Sequence, residues 1–263
     1  MNYAEYRGRR VVVTGCSSGL GAATAGKLAE VGATVVGLSR RRPPIDIDEF
    51  HEVDLASVDS IEQAGSAITG DIDALFNCAG AAPVLPSEEI IKVNFLGTRL
   101  FTELLLDRMP RGSAIASVSS SNGSAWRKNF DHVSAFVATT SFDEGVAWYS
   151  AHQADAGHGY PFSKEALTLW TLQQASILTP RGIRINSISP GAVQTPLLEI
   201  AQQTFPAEML AATLEPFGRA STVREQVSPL LFLNSSEGSY INGADLAVDG
   251  GYAAAFASAG GTW

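Results

Sequence analysis

Short apolar runs rich in β-branched residues alternate with longer amphipathic segments along this 263-residue chain. Such runs are typical of strands buried on both faces, and the segments between them suit the helical crossovers that a parallel sheet requires. The pattern predicts strands at residues 10–15, 34–39, 50–55, 72–80, 113–120, 183–191 and 244–251. It predicts helices at residues 19–31, 57–68, 87–109, 160–178 and 222–234. Because no linker-like stretch or internal repeat interrupts the pattern, we expect one α/β domain over residues 1–263.

Residues 121–159 are the exception to this alternation. Parts of the segment look helical, and it contains six aromatic residues: Trp126, Phe130, Phe136, Phe142, Trp148 and Tyr149. A connection that is so long and so aromatic is not a passive loop. Two interpretations stay open, a small extra packing unit and a wall over an apolar ligand, and both can hold at once.

Composition excludes several classes of function. Lysine and arginine number 18 against 27 aspartates and glutamates, a net charge of −9, which argues against nucleic-acid binding. Two cysteines form no disulfide framework, and the four histidines lack the spacing of metal ligands, so we expect no metal site. Without a signal-peptide pattern or a long apolar run, we expect a cytoplasmic protein that does not engage a membrane.

A glycine-rich stretch, TGCSSGLG (14–21), joins the first predicted strand to the first predicted helix. Gly15, Gly19 and Gly21 let the backbone turn tightly and approach a ligand closely. The helix that follows presents free N–H groups and the positive end of its dipole. This placement predicts that the loop binds the pyrophosphate of a dinucleotide.

The end of the second strand bears on which dinucleotide binds. Folds of this type that use NAD place an acidic residue there for the ribose 2′-hydroxyl, whereas this chain has Ser39 followed by Arg40, Arg41 and Arg42. A guanidinium binds a 2′-phosphate that a carboxylate would repel. The turn is therefore predicted to favour NADP(H), with NAD(H) possible, although a solvated basic turn is the alternative interpretation.

The stretch GYPFSK (159–164) places a tyrosine, a proline and a lysine at the start of a predicted helix. Pro161 lacks a backbone N–H and is tolerated in the first helical turn. Tyr160 then stands at the helix start, with Lys164 one turn away on the same face. By itself the stretch fits either a simple helix start or a phenol held beside a cation for chemistry.

Taken together, the motifs resemble the short-chain dehydrogenase/reductase family over essentially the whole chain. The resemblance rests on TGCSSGLG (14–21), VDL (53–55), NCAG (77–80), KVNFLGT (92–98), ASVSSSNG (116–123), YPFSK (160–164), SPGAVQTP (189–196) and VDGG (248–251). It implies a Rossmann-type, doubly wound parallel sheet and an enzyme that interconverts alcohols and carbonyls with a nicotinamide dinucleotide. NCAG departs from the family, which usually has two asparagines there.

The resemblance implies four catalytic residues: Ser120, Tyr160, Lys164 and Asn94. Tyr160 would be the general acid/base, Ser120 would hold the substrate oxygen, and Asn94 would position a water linked to Lys164. A free phenol is a poor base at pH 7. The Lys164 ammonium, together with the charge of the oxidised nicotinamide, is expected to lower its pKa.

Together with the arginine turn, the resemblance implies a broad set of cofactor contacts. The residues are Gly15, Ser17, Ser18, Gly19, Leu20, Gly21, Ser39, Arg40, Arg41, Asp54, Leu55, Asn77, Ala79, Gly80, Tyr160, Lys164, Pro190, Gly191, Val193 and Thr195.

The long insertion before Tyr160 is similar to that of the branch containing bacterial 3α-hydroxysteroid and coniferyl-alcohol dehydrogenases. This resemblance implies an apolar, ring-containing alcohol or carbonyl substrate. It also implies a homo-oligomer, in which the insertion could block the common tetramer and leave a dimer. Because those relatives usually have aspartate where this chain has Ser39, their NAD preference is not carried over. A non-catalytic redox sensor or scaffold that binds the dinucleotide is the alternative.

Overall fold

Seven parallel strands form a single sheet in the computed structural model, which describes residues 3–258. The strands, in chain order, are β1 (Arg10–Thr14), β2 (Thr34–Ser39), β3 (Glu49–Glu52), β4 (Ala74–Asn77), β5 (Ala114–Val118), β6 (Arg184–Pro190) and β7 (Asp245–Val248). Their order across the sheet is β3-β2-β1-β4-β5-β6-β7. All seven predicted strands are confirmed, and so is the α/β fold class.

The helices that connect the strands confirm the five predicted segments and add others. They are α1 (Gly19–Glu30), α2 (Val58–Ala67), α3 (Ser87–Ile91), α4 (Thr98–Leu105), α5 (Phe130–Val137), α6 (Phe142–Ala156), α7 (Gly159–Leu178), α8 (Pro196–Thr204), α9 (Ala207–Ala212), α10 (Val223–Asn234) and α11 (Tyr252–Ser258). The helix predicted at 87–109 is α3 and α4 joined by a π-helical stretch, Lys92–Gly97, and it ends in a 3₁₀ turn, Leu106–Arg108. Helices α8, α9 and α11 were not predicted.

Two apolar layers cover the sheet. Tyr6 on one side packs with Leu28 of α1 and Leu230 of α10. The other side holds the larger cluster, in which α2, α4, α7 and the insertion bury their apolar faces. Burial of both faces explains why the central strands read as continuous apolar runs rather than alternating ones.

The strand order reverses between β1 and β4. From β1 the chain builds outward through β2 and β3, and then returns to place β4 on the other side of β1. In open α/β sheets, such a reversal opens a crevice at the carboxyl ends of the two strands, and ligands bind there. We therefore expect a ligand site among the residues that follow Thr14 and Asn77.

Residues 121–159 form a 3₁₀ turn, Ser121–Arg127, followed by α5 and α6. Their aromatic side chains pack inward around Phe136, whose ring centroid lies 5.1 Å from Phe95, 5.4 Å from Trp148 and 5.2 Å from Phe162. Phe95 belongs to the π-helical stretch and Phe162 to α7. The interpretation of this segment as an extra packing unit is confirmed.

A buried arginine fastens this segment to the domain. The Arg99 side chain in α4 donates hydrogen bonds to the carbonyls of Val137, Thr139 and Ser141, at 3.2, 2.8 and 3.3 Å. Its guanidinium also lies 5.2 Å from the centroid of the Phe95 ring. These contacts hold the connection between α5 and α6 against α4.

Candidate active site

The predicted glycine loop lies at the crevice between β1 and β4. Gly15 has a φ of +71°, and a Cβ there would lie 2.7 Å from the Cα of Ala79. A Cβ on Gly21 would collide with the carbonyl oxygen of Gly15. The Thr14 hydroxyl accepts hydrogen bonds from the backbone N–H groups of Cys78 and Ala79, at 3.1 and 3.2 Å. Glycine is therefore required for this close approach of the two strand ends.

Helix α1 begins at this loop. Its N-cap is Ser18, whose side chain makes no cap hydrogen bond to residues 3–258. The first-turn N–H groups and the helix dipole suit an anion at this end of the helix. A Cβ on Gly19 would lie 3.6 Å from Cγ2 of Thr195, so the loop after β6 passes close to the glycine loop. The cradle fits the pyrophosphate of a dinucleotide, as the sequence predicts.

The residues at the end of β2 divide into one inward and three outward side chains. Ser39 is buried, its hydroxyl donates a hydrogen bond to the carbonyl of Arg41, and it lies 3.4 Å from the Cys16 thiol. Arg40 and Arg41 are exposed. The guanidinium of Arg42 stacks 5.2 Å from the centroid of the Phe50 ring. Of the three arginines in this turn, Arg42 stacks on Phe50, whereas Arg40 and Arg41 do not.

Tyr160 occupies the first turn of α7, as predicted. The helix begins at Gly159, and its N-cap His158 accepts a hydrogen bond from the backbone N–H of Tyr160 at 3.1 Å between the two nitrogens. Pro161 therefore falls in the first turn, where its missing N–H costs nothing. The proline leaves Tyr160 and Lys164 one turn apart on the same helix.

Three predicted side chains meet beside the crevice. The Ser120 hydroxyl, just after β5, lies close enough to the Tyr160 hydroxyl to lower the phenol pKa by hydrogen bonding. Lys164 Nζ donates to the carbonyl of Val118 at 2.8 Å and lies 5.9 Å from the centroid of the Tyr160 ring. The neighbouring Ser119 instead faces the core, where its hydroxyl lies 2.9 Å from that of Thr168. Ser120, and not Ser119, is thus the serine that faces the phenol.

Burial dominates the electrostatics of this group in the protein alone. Desolvation raises the pKa of Tyr160, and the hydrogen bond from Ser120 only partly opposes that rise. Burial lowers the pKa of Lys164 from 10.5 to about 8. Desolvation therefore dominates the pKa of Tyr160 in the protein alone, and the lowering expected from Lys164 together with the oxidised nicotinamide stays a prediction.

Asn94 lies in the π-helical stretch and links two elements. Its Oδ1 accepts a hydrogen bond from the backbone N–H of Ala81 at 2.7 Å, and its Nδ2 donates to the Ser163 hydroxyl at 3.2 Å. The side chain therefore connects the loop after β4 to the helix that carries Tyr160. The predicted water between Asn94 and Lys164 stays a prediction.

Not every predicted cofactor contact faces the crevice. Asn77 is buried, and its Nδ2 donates to the hydroxyls of Thr102 and Ser117 at 3.0 and 3.2 Å, so its side chain serves the core. Asp54 accepts a hydrogen bond from the backbone N–H of Ala56 at 3.0 Å. Three others are buried: Leu55, Pro190 and Val193. The side chains of Asn77, Leu55, Pro190 and Val193 are therefore buried within the protein, whereas that of Asp54 is partly exposed.

Comparison with known proteins agrees with this geometry. A family model described as "Enoyl-(Acyl carrier protein) reductase" matches residues 15–253, which include the glycine loop, Ser120, Tyr160 and Lys164. The chain belongs to the short-chain dehydrogenase/reductase family. It is accordingly an alcohol/carbonyl oxidoreductase of the short-chain dehydrogenase/reductase type, and enzymes of this family bind NAD(H) or NADP(H).

Members of this family with similar sequences include two bacterial enzymes. The chain is 34% identical to a coniferyl-alcohol dehydrogenase of Pseudomonas sp. (strain HR199 / DSM 7063), covering 94% of this chain and 98% of that protein. It is 31% identical to a 3-alpha-hydroxysteroid dehydrogenase/carbonyl reductase of Comamonas testosteroni, with coverages of 92% and 95%. The predicted resemblance to this branch is confirmed.

A solved structure has the same fold. The 3-alpha-hydroxysteroid dehydrogenase from Pseudomonas sp. B-0831, complexed with NADH, superposes with a TM-score of 0.80 at 31% identity. The match covers 95% of this chain and 98% of that one.

Two features of residues 3–258 concern membranes and metal ions. Every helix described there is too short or too polar to cross a membrane. The same residues contain no group of three or more histidine, cysteine, aspartate or glutamate side chains arranged to hold a metal ion.

Proposed function

We propose that this oxidoreductase uses Tyr160 as the general acid/base that moves the proton of the alcohol, with Ser120 and Lys164 as its partners. The observation that carries the proposal is the meeting of these three side chains beside the glycine cradle. A proton donor or acceptor at the substrate oxygen is what alcohol/carbonyl interconversion demands of a protein.

Each residue has a distinct task in this mechanism. Tyr160 accepts the hydroxyl proton during oxidation and returns it during reduction. The Ser120 hydroxyl donates a hydrogen bond to the substrate oxygen, where negative charge develops. Lys164 is held in place by the Val118 carbonyl, and its ammonium favours the phenolate. The bound nicotinamide dinucleotide supplies the hydride acceptor or donor.

We further propose that the cofactor is preferentially NADP(H). The glycine loop, the first turn of α1 and the loop through Thr195 would hold the dinucleotide. Exposed Arg40 and Arg41 would bind the 2′-phosphate, because the buried Ser39 offers no carboxylate to repel it. The NADH bound to the related hydroxysteroid dehydrogenase makes this preference a point to test directly.

The substrate proposed here is an apolar, ring-containing alcohol or carbonyl compound. The names of the two bacterial relatives support it, since one acts on coniferyl alcohol and the other on hydroxysteroids. The insertion supports it as well. Phe130 is 47% exposed, and the ring of Trp126, 6.4 Å away between centroids, is partly exposed, so both rings are available to contact an apolar ligand.

A dimer is the proposed assembly. The resemblance implies that the helix carrying Asn94 and the helix after Tyr160 form the family's usual interface. In this chain, α5 and α6 of the insertion pack against the π-helical stretch and α7, which supports a blocked tetramer. Sedimentation equilibrium is expected to give a dimer. A monomer would contradict the proposed assembly, whereas a tetramer would contradict only the blocking.

The decisive test is a turnover screen of the purified protein. Hydroxysteroids, aryl-allylic alcohols and cyclic ketones are assayed with NAD(H) and NADP(H), and kcat/KM is compared between the two cofactors. We expect turnover of at least one ring-containing alcohol, faster with NADP(H). Tight dinucleotide binding without turnover of any substrate would instead support a redox sensor or scaffold.

A further inference from the structure

Asn122 contacts the hydroxyl of Ser120 twice. The backbone N–H of Asn122 donates to Ser120 Oγ at 3.2 Å, and the side-chain Nδ2 donates to the same oxygen at 3.4 Å. Ser120 is the N-cap of the 3₁₀ turn that opens the insertion, so both residues belong to one tight turn. The sequence motifs predict a role for Ser120 and none for Asn122.

These two contacts restrict what the Ser120 hydroxyl can do. A serine hydroxyl has one proton to donate and two lone pairs that accept. Because Asn122 supplies a donor to each lone pair, the remaining proton is directed away from Asn122. The partner on that other side is the Tyr160 hydroxyl. Hydrogen bonds in such a chain strengthen one another when they point in the same direction.

We propose that Asn122 is a positioning residue that keeps the Ser120 hydroxyl a hydrogen-bond donor, toward the Tyr160 oxygen before substrate binds and toward the substrate oxygen once it is bound. Asn122 acts through Ser120 and transfers no proton itself. The inference rests on the proposed function, since it concerns the direction of a hydrogen bond within the proposed catalytic group.

Among the groups around Tyr160, Ser120 is the one that donates a hydrogen bond to its oxygen. Lys164 lies on the same helix as Tyr160, His158 is the N-cap of that helix, and Cys78, just after β4, lies near Lys164. The hydrogen bond from Ser120 opposes the desolvation that raises the pKa of Tyr160. That direction requires Ser120 to donate to the phenolate, which is the orientation that Asn122 enforces.

A purely structural role for Asn122 makes a different prediction. Asparagine and aspartate have almost the same shape, and both suit a turn of this kind. If Asn122 only shapes the turn, Asn122→Asp should behave like the original protein and Asn122→Ala should be worse. If it orients the hydroxyl, the aspartate carboxylate should accept the Ser120 proton and reverse the hydrogen bond.

The first test compares kcat for alcohol oxidation in Asn122→Ala and Asn122→Asp. We expect a loss of roughly 3- to 10-fold for alanine, which keeps the backbone donor, since one neutral hydrogen bond is removed. For aspartate we expect roughly 100-fold, comparable to the loss of an oxyanion donor. Ser124→Ala is the matched control, because that hydroxyl donates to the Ser121 carbonyl within the same turn at 2.7 Å. It should retain full activity.

The second test needs no substrate. Ultraviolet difference titration follows phenolate formation in each variant, and the same titration of Tyr160→Phe identifies the signal of Tyr160. We expect the titration midpoint of Tyr160 to rise from the original protein to Asn122→Ala and further to Asn122→Asp, and to stay unchanged in Ser124→Ala. Because Asn122 is exposed, its variants should fold, and thermal melting checks this.

The results separate this inference from the proposed function. An aspartate variant whose kcat and Tyr160 midpoint match the original protein overturns the inference, even if the enzyme turns over its substrate. Absence of turnover in the original protein contradicts the proposed function, while the order of the titration midpoints still decides the role of Asn122.

Discussion

Lys164 Nζ lies 5.9 Å from the centroid of the Tyr160 ring and is held there by a 2.8 Å hydrogen bond to the carbonyl of Val118. The contact joins α7 to the end of β5, so the position of the ammonium is set by the sheet as well as by the helix. Lys164 is only 4% exposed, and burial lowers its pKa from 10.5 to about 8. The protein therefore holds this lysine near a physiological titration point.

The contribution of Lys164 to the stability of the protein should rise as pH increases from about 8 to 10.5. In this window the unfolded chain still binds the Lys164 proton and the folded protein has released it, so raising the pH favours the folded state. The difference between the pKa of Lys164 in the unfolded chain and in the folded protein corresponds to about 3 kcal/mol at most. The Cys78 thiol acts in the opposite direction: burial raises its pKa from 9.0 to about 12, so above pH 9 the unfolded chain loses this proton first and rising pH disfavours the folded state.

Urea unfolding at several pH values checks this expectation. The difference in free energy of unfolding between the original protein and Lys164→Met should change by up to about 3 kcal/mol across the window. Lys27→Met, which alters a surface pair with Glu30, is the control. A difference for Lys164→Met that stays constant with pH would contradict the lowered pKa.

Tyr160→Phe should abolish turnover and leave dinucleotide affinity nearly unchanged. The substitution removes the transferable proton and keeps the aromatic ring in the first turn of α7. Steady-state kinetics and fluorescence titration of the cofactor measure the two quantities separately. Tyr240→Phe is the control because Tyr240 is fully exposed. Near-normal activity of Tyr160→Phe would refute the assignment of the general acid/base.

Ser120→Ala should lower kcat by about 100-fold or more, comparable to the loss of one oxyanion donor. Ser119→Ala is the informative comparison, since Ser119 contacts Thr168 and the carbonyl of Lys164 in the core. It should cost roughly 1 kcal/mol of stability and little activity. Thermal melting and kcat distinguish the two. The opposite pattern would mean that Ser119 is the catalytic serine.

The sequence predicted the fold well because periodicity and strand length carry that information. All seven strands and the start of α7 at Tyr160–Pro161 were expected. The short helices α8, α9 and α11 were not, because six to nine residues leave too little periodicity to recognise. Aromatic residues in 121–159 were equally consistent with a wall and with a packing unit, and only the three-dimensional structure shows that several of them pack around Phe136.

Predictions of individual site contacts were less accurate than those of the fold, because a sequence does not show which atoms of a side chain face the protein interior. A serine at the end of β2 is visible in the sequence, but its hydrogen bond to the Arg41 carbonyl is not. Likewise, Asn77 matches the family motif, yet its amide serves the core. The desolvation that raises the pKa of Tyr160 in the protein alone depends on packing that a motif does not describe.

Arg99→Met should loosen the insertion. The change leaves the carbonyls of Val137, Thr139 and Ser141 without their charged donor, which we expect to cost about 3 kcal/mol of stability. Arg99→Lys keeps the charge but loses the fork geometry, so its loss should be smaller. KM for a ring-containing substrate should rise, while cofactor affinity is preserved.

Thermal melting and limited proteolysis within residues 121–156 measure the effect of Arg99→Met. Arg181→Met is the control, since this exposed arginine contacts Asp107 and the Leu106 carbonyl at the surface and should change stability by roughly 0.5 kcal/mol or less. Unchanged melting in Arg99→Met would show that aromatic packing alone holds the insertion.

Arg40→Ala should weaken NADP(H) binding more than NAD(H) binding. An arginine–phosphate contact contributes about 1.5–3 kcal/mol, which corresponds to roughly 10- to 100-fold in affinity. The turn offers a matched control in Arg42→Ala, because the Arg42 guanidinium stacks on Phe50 and should not discriminate between the cofactors.

Ser39→Asp should shift the preference toward NAD(H), since a carboxylate binds the ribose 2′-hydroxyl and repels a phosphate. The ratio of kcat/KM for the two cofactors measures all three variants and the original protein. If the original protein favours NAD(H) and Arg40→Ala behaves like Arg42→Ala, the arginine turn is only a solvated surface.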